Sequence, residues 1–96
     1  MKKKIHDIGM VHGVFDLIHI GHIEHFLEAK KYCKKLIVSV TSDKYVNKGP
    51  NRPAFSLKER IKLLKSISCI NEVVVSDSET AVKNIKKYKP RIYFKG

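Results

Sequence analysis

The residues best placed to do chemistry lie in "GVFDLIHIGH", Gly13 to His22. His19 and His22 are three residues apart, which puts two imidazoles on one face of the first turn of a helix. A helix starting near Ile20 or Gly21 has free backbone N–H groups and a positive dipole end. It is an anion site before any side chain is counted. Gly21 lacks a Cβ, so a phosphate or another backbone can come close. Two imidazoles there can donate hydrogen bonds to phosphate oxygens, more strongly as charge builds in a transition state. A metal reading has less support. His19, His22 and His25 recur every three residues, zinc sites prefer other spacings, and no Cys or carboxylate cluster completes a set. Taken singly, His6 and His25 receive no role. The bland alternative for the pair is polar residues at a helix start.

The elements that must hold this stretch follow from periodicity and breakers. "IGMVHG" (Ile8–Gly13) is short, apolar and ends at glycine, which predicts a buried strand. "HIEHFLEAKKY" follows, and Ile20 just before it, Ile23, Phe26 or Leu27 and the stem of Lys30 form one helical face. "KLIVSVTSD" is a second strand, and "KYVNKGPNRPAF", with Gly49, Pro50 and Pro53, is a loop. Ser56 and Glu59 form a capping box for a helix with Leu57, Ile61 and Leu64 inward. "EVVVSD" is a third strand. "TAVKNIKKY" is a short helix with Val82, Ile85 and Tyr88 in line, ended by Lys89–Pro90. "RIYF" is a fourth strand. The alternation β-α-β-α-β-α-β predicts an α/β fold, a Rossmann-like three-layer sandwich around a parallel sheet. Ligands of such sheets bind at the carboxyl ends of the strands, so Gly13–His22 and Thr41–Phe55 are the candidate site loops.

At 96 residues the chain is expected to be a single domain, 1–96. A hydrophobic share of 43% with 30% charged residues is that of a globular protein, and no apolar run reaches the ~20 residues of a membrane span. The start is not a secretory signal, so a cytoplasmic location with no membrane partner is expected. Cys33 and Cys69 are read as reduced thiols in or near the core. The net charge of +11 is mostly dispersed lysine, which favours phosphate-bearing ligands. Without an arginine stripe or interleaved aromatics, no nucleic-acid partner is expected.

"GVFDLIHIGH" resembles the signature of the nucleotidyltransferase superfamily, with its Gly-x-Phe-Asp and His-x-Gly-His elements. Class I aminoacyl-tRNA synthetases share the second element, but no Lys-Met-Ser-Lys-Ser loop is present. Leu17 stands where adenylyltransferases acting on pantetheine phosphate or nicotinamide mononucleotide usually have proline. The resemblance is therefore to the cytidylyltransferase-like branch, which includes glycerol-3-phosphate cytidylyltransferase and heptose-1-phosphate adenylyltransferase. "AKKYCKKLIVSVTSD", "NKGPNRP", Glu59–Arg60 and "KPRIYFKG" are similar to later parts of that pattern.

The resemblance implies transfer of CMP or AMP from CTP or ATP, with Mg2+, to a phosphorylated polyol or sugar, releasing pyrophosphate. It implies that His19 and His22 bind the triphosphate and stabilise the transition state, with Lys48 covering the phosphates. Gly13, Val14 and Phe15 would supply backbone around the α-phosphate. Asp16 would tie the loop or contact the acceptor or metal, with the tie favoured. Arg52 and Arg60 would reach phosphate or acceptor, Arg60 having an ion pair within its own helix as its alternative. Lys95 and Gly96 would open the nucleobase loop. Family members continue into an acidic loop, a strand and a Ser/Thr-rich helix start, so the chain is expected to be C-terminally truncated and a homodimer is plausible. The competing reading is a non-catalytic nucleotide-binding fragment or degenerate homologue.

Overall fold

The computed structural model describes residues 5–46, 53–78 and 80–95. Its elements run β1 (His6–Gly13), α1 (Ile20–Lys30), β2 (Cys33–Thr41), a 3-10 turn (Asp43–Tyr45), α2 (Leu57–Lys65), β3 (Glu72–Ser76), α3 (Val82–Tyr88) and β4 (Ile92–Lys95). The four strands are parallel in the order β3-β2-β1-β4. From Leu36 to Thr41, β2 is buried on both faces, as a central parallel strand must be when helices cover both sides.

One face packs Val11, Leu36, Val38 and Val40 against Phe26 and Ala29 of α1 and Leu57, Ile61 and Leu64 of α2. The other packs Met10, Ile37 and Val74 against Ile85 and Tyr88 of α3. The three layers and the parallel sheet are those the sequence predicts. The Ser56 capping box is also present: Glu59 N–H donates to Ser56 Oγ (3.2 Å) and Ser56 N–H to Glu59 Oε1 (3.0 Å). Lys89 closes α3 in the left-handed conformation, its N–H bonded to Ile85 O. Both cysteines are free, Cys33 buried and Cys69 partly so.

Two helix faces differ from the pattern read from the sequence. Ile20 is 68% exposed; α1 instead buries Phe26 and Ala29, in line with the half-buried His22. The helix turns this way because Phe26 meets the ring of Phe15, which re-enters the core from the loop above (centroids 5.3 Å apart). Val82 is 51% exposed, and the polar Asn84 is buried in its place because the sheet beneath offers it partners.

The order of strands locates the crevice. β1 leads to α1 on one face, while β3 crosses back through α3 on the other face to reach β4 beside β1. The topology therefore reverses between β1 and β4, and their carboxyl ends, Gly13 and Lys95, flank the place where such sheets take ligands.

Candidate functional site

His19 is the N-cap of α1, and the two histidines cap the helix reciprocally. Gly21 N–H donates to His19 Nδ1 at 3.0 Å, and His19 N–H donates to His22 Nδ1 at 3.2 Å. A neutral imidazole that accepts at Nδ1 carries its proton on Nε2. The caps thus set the tautomer of both rings, with the proton of each on Nε2. The ring centroids are 4.1 Å apart, with His19 exposed and His22 half-buried. The amides are less bare than the sequence suggests: Gly21 N–H is taken by His19 Nδ1, and His22 N–H by His19 O at 3.0 Å. An anion at this helix start would therefore meet side-chain N–H groups more than backbone ones. No carboxylate lies in its first turn to offset the dipole.

Phe15 supports the pair from below. Its φ of 52° turns the chain back, and the ring lies over Gly13, edge-on to His22 at 5.7 Å. A Cβ on Gly13 would come within 2.9 Å of Phe15 Cζ, so glycine is required for the ring to reach the core. Phe15 acts here through its side chain as much as through its backbone.

Asp16 and Arg60 are turned inward. Asp16 Oδ2 accepts from Ala54 N–H and Oδ1 from Phe55 N–H, each at 2.9 Å. This is the loop tie foreseen as one of its two roles. Arg60 is 1% exposed. Its Nε donates to Phe55 O (3.1 Å), its Nη1 to Val14 O (2.8 Å) and Thr41 O (2.6 Å), and its Nη2 to the Asp43 carboxylate. Arg60 therefore directs its guanidinium to protein acceptors, and its ion pair is with Asp43 rather than within its own helix. It joins the loops after β1 and β2 to the segment entering α2. The physical reason is supply: strand ends leave carbonyls without ladder partners, and a buried guanidinium has five donors to meet them. Lys48, Arg52 and Gly96 lie outside the described residues; Lys95 ends β4 in register with His12. An apolar groove of about 510 Å³, lined by Phe55, Leu63 and parts of Asp16 and Arg60, opens beside α2, but neither His19 nor His22 lines it.

With this geometry in place, comparison with known proteins is decisive. A family model described as cytidylyltransferase-like matches residues 10–96. The chain belongs to the cytidylyltransferase-like family. It is 43% identical over 91 residues to the bifunctional protein HldE of Helicobacter pylori (strain P12), covering 93% of this chain and 20% of that protein. It is 38% identical over 86 residues to the protein of the same name from Syntrophotalea carbinolica, covering 88% of this chain and 18% of that one. The chain thus spans about a fifth of the length of these curated relatives. It also superposes with a TM-score of 0.83, at 27% identity, on the crystal structure of a lipopolysaccharide core biosynthesis protein from Thermoplasma volcanium GSS1, covering 92% of this chain and 72% of that one.

Within this cytidylyltransferase-like domain, Gly21 has a local reason to be glycine. A Cβ there would meet His19 Cε1 at 2.8 Å and Nδ1 at 3.0 Å. The glycine makes room for the protein's own imidazole, a more immediate constraint than approach of a phosphate. Gly21→Ala is expected to push the His19 ring off its cap while leaving the core intact. The cost should be about 1 kcal/mol of stability, seen as a small fall in Tm, with altered His19 ring resonances in NMR spectra. Unchanged His19 resonances in the alanine variant would contradict this account.

Sequence reading missed one group. His12, on the last turn of strand before Gly13, has its Nδ1 2.9 Å from Ser39 Oγ. Ser39 in turn accepts from Asn84 Nδ2 at 2.8 Å. The signal was present as polar residues at inward positions of apolar strands, but only the sheet register brings them together. Burial pushes the His12 imidazole below its ordinary pKa, which favours the neutral ring. The contact does not make Ser39 a nucleophile, because its hydroxyl is fully buried and inaccessible to a substrate.

Proposed function

We propose that this domain transfers CMP or AMP from CTP or ATP to a phosphorylated polyol or sugar. An oxygen of the acceptor phosphate attacks the α-phosphorus, the bond from that phosphorus to the bridging oxygen breaks, and pyrophosphate leaves with its electron pair. No covalent intermediate on the protein is involved. Catalysis of this kind consists mainly of positioning and charge stabilisation. The observation that carries the reading is the pair of adjacent Nε2–H donors, locked in tautomer at the sheet's ligand-binding edge.

His19 and His22 donate to triphosphate oxygens and strengthen those bonds as negative charge accumulates. Val14 and Phe15 carry the strand-end backbone beside the α-phosphate, with Gly13 admitting the Phe15 ring. Asp16 and Arg60 hold the backbone at Ala54 and Phe55, and Lys48 and Arg52 would contact the phosphates. Lys95 and Gly96 begin the nucleobase side. The carboxylates do not offer a metal cage: both oxygens of Asp16 are taken by amides, and Asp43 is paired with Arg60. Among the described residues no group of three or more His, Cys, Asp or Glu could hold a metal ion. Magnesium enters as the counter-ion of the nucleotide substrate.

The family description favours CTP; the "NKGPNRP" form, common among heptose-phosphate adenylyltransferases, favours ATP and a sugar phosphate. The structural relative's role in lipopolysaccharide core biosynthesis also weighs toward a sugar phosphate, since that core is a sugar assembly. Calorimetric titration with MgCTP and MgATP tests the assignment. One nucleotide should bind at least about 10-fold more tightly than the other, a difference of about 1.4 kcal/mol. Failure of both to bind at millimolar concentration would overturn the reading. Pyrophosphate release on adding a sugar phosphate or glycerol 3-phosphate distinguishes a transferase from a nucleotide-binding module.

A further inference from the structure

The face of the sheet under α3 changes character along its strands. In the middle it is apolar, with Met10, Ile37 and Val74 under Ile85 and Tyr88. Two residues further along, the same face carries His12, Ser39 and Ser76, and the helix above contributes Asn84. Ser39, Ser76 and Asn84 are all buried. Polar groups beneath a helix are costly unless each finds a partner, and apolar residues would pack there at less cost.

The hydrogen bonds run in one direction. Asn84 Nδ2 uses its two protons on Ser39 Oγ (2.8 Å) and Val75 O (3.1 Å). Ser39 is fully buried, so its hydroxyl proton needs a protein acceptor, and among the described residues His12 Nδ1, 2.9 Å away, is the one beside it; Ser39 therefore donates to the ring. A neutral ring accepting at Nδ1 carries its proton on Nε2. His12 is half-buried at the end of β1, opposite Lys95 in the β1–β4 register, on the rim of the crevice where the topology reverses. A buried serine and asparagine thus fix the ring of a third histidine at the crevice end of β1, on the face opposite α1.

In-line displacement decides which ligand it meets. The entering oxygen approaches the α-phosphorus from the side opposite the leaving pyrophosphate. His19 and His22, at the start of α1, hold the triphosphate from the α1 face. With the triphosphate held from the α1 side, the other face of β1, where His12 lies, is the side left for an entering group. We propose that His12 Nε2–H is a hydrogen-bond donor to the phosphate of the acceptor, with Ser39 and Asn84 as its positioning residues. The proposal rests on the nucleotidyltransferase reading and adds the acceptor side to it.

Histidine side chains labelled with 15N in the 96-residue chain provide the test. The protein is first saturated with the α,β-methylene analogue of ATP or CTP. It is then titrated with glycerol 3-phosphate, glucose 1-phosphate and inorganic phosphate, with His12 assigned from the His12→Gln spectrum. The analogue should move the His19 and His22 resonances. The phosphates should then move His12 Nε2 saturably. The Kd for the best phosphate should weaken at least about 10-fold in His12→Phe. If His19 and His22 respond to the analogue but His12 ignores all three phosphates, the acceptor-side role is overturned and the nucleotide reading stands. A His12 shift produced by the analogue alone overturns it too. Silence of all three rings overturns both. The wild-type titration remains decisive if His12→Phe fails to fold.

Discussion

Arg60→Met is expected to lower Tm by at least about 12 °C, the largest stability effect of any single substitution considered for this domain. The guanidinium satisfies two strand-end carbonyls, the carbonyl of Phe55 and the carboxylate of Asp43. Methionine fills the volume but leaves those acceptors without a donor. Removing one partner of a buried charged network costs about 3–5 kcal/mol, against a total stability of ~5–14 kcal/mol for a domain this size. Arg60→Lys should restore only part of the loss, because a single ammonium cannot reach acceptors on three separate segments. Thermal unfolding followed by circular dichroism measures both variants. A fall of less than about 4 °C for Arg60→Met would show that the network contributes little.

The double variant His19→Asn/His22→Gln is expected to fold as well as the parent and to lose nucleotide binding by at least about 100-fold. Asparagine is a preferred N-cap residue, and glutamine three positions on is the usual partner in a capping box. The pair keeps the two backbone bonds now made by Nδ1 atoms and presents no ring N–H beyond them. Each lost donor to a charged phosphate accounts for about 1.5–3 kcal/mol. Turnover, where measured, should fall further, by about 10²–10³ for each donor that acts on developing charge. Melting temperature and calorimetric affinity separate the two functions of the histidines. Retained affinity with an unchanged Tm would confine the histidines to capping, and the proposed function would lose its main support.

The Arg60 and histidine variants probe different layers of the same edge. Arg60 and Asp16 act by joining loops, so their loss should reach ligands only through the fold. The histidines cap and contact at once, which is why alanine substitutions alone would not distinguish the roles.

Several parts of this protein were determined by local sequence. The alternation of apolar strands with 3.6-periodic stretches decided the parallel three-layer architecture, because a strand buried on both faces and a helix buried on one leave different residue patterns. Ser56 and Glu59 marked the start of α2 through a contact only three residues long. The His-x-Gly-His spacing likewise placed two rings on one helical turn. What required the tertiary structure is whatever depends on partners far apart in the chain. Arg60 bonds to Val14 across 46 residues and Asn84 to Ser39 across 45. Neither span leaves a periodic trace, so an arginine that looked like a phosphate ligand became a loop tie, and His12 went unnoticed. The rotation of α1 that buries Phe26 and exposes Ile20 was also beyond local pattern. Both are apolar, and only the Phe15 ring, folded back over Gly13, decides which of them meets the core.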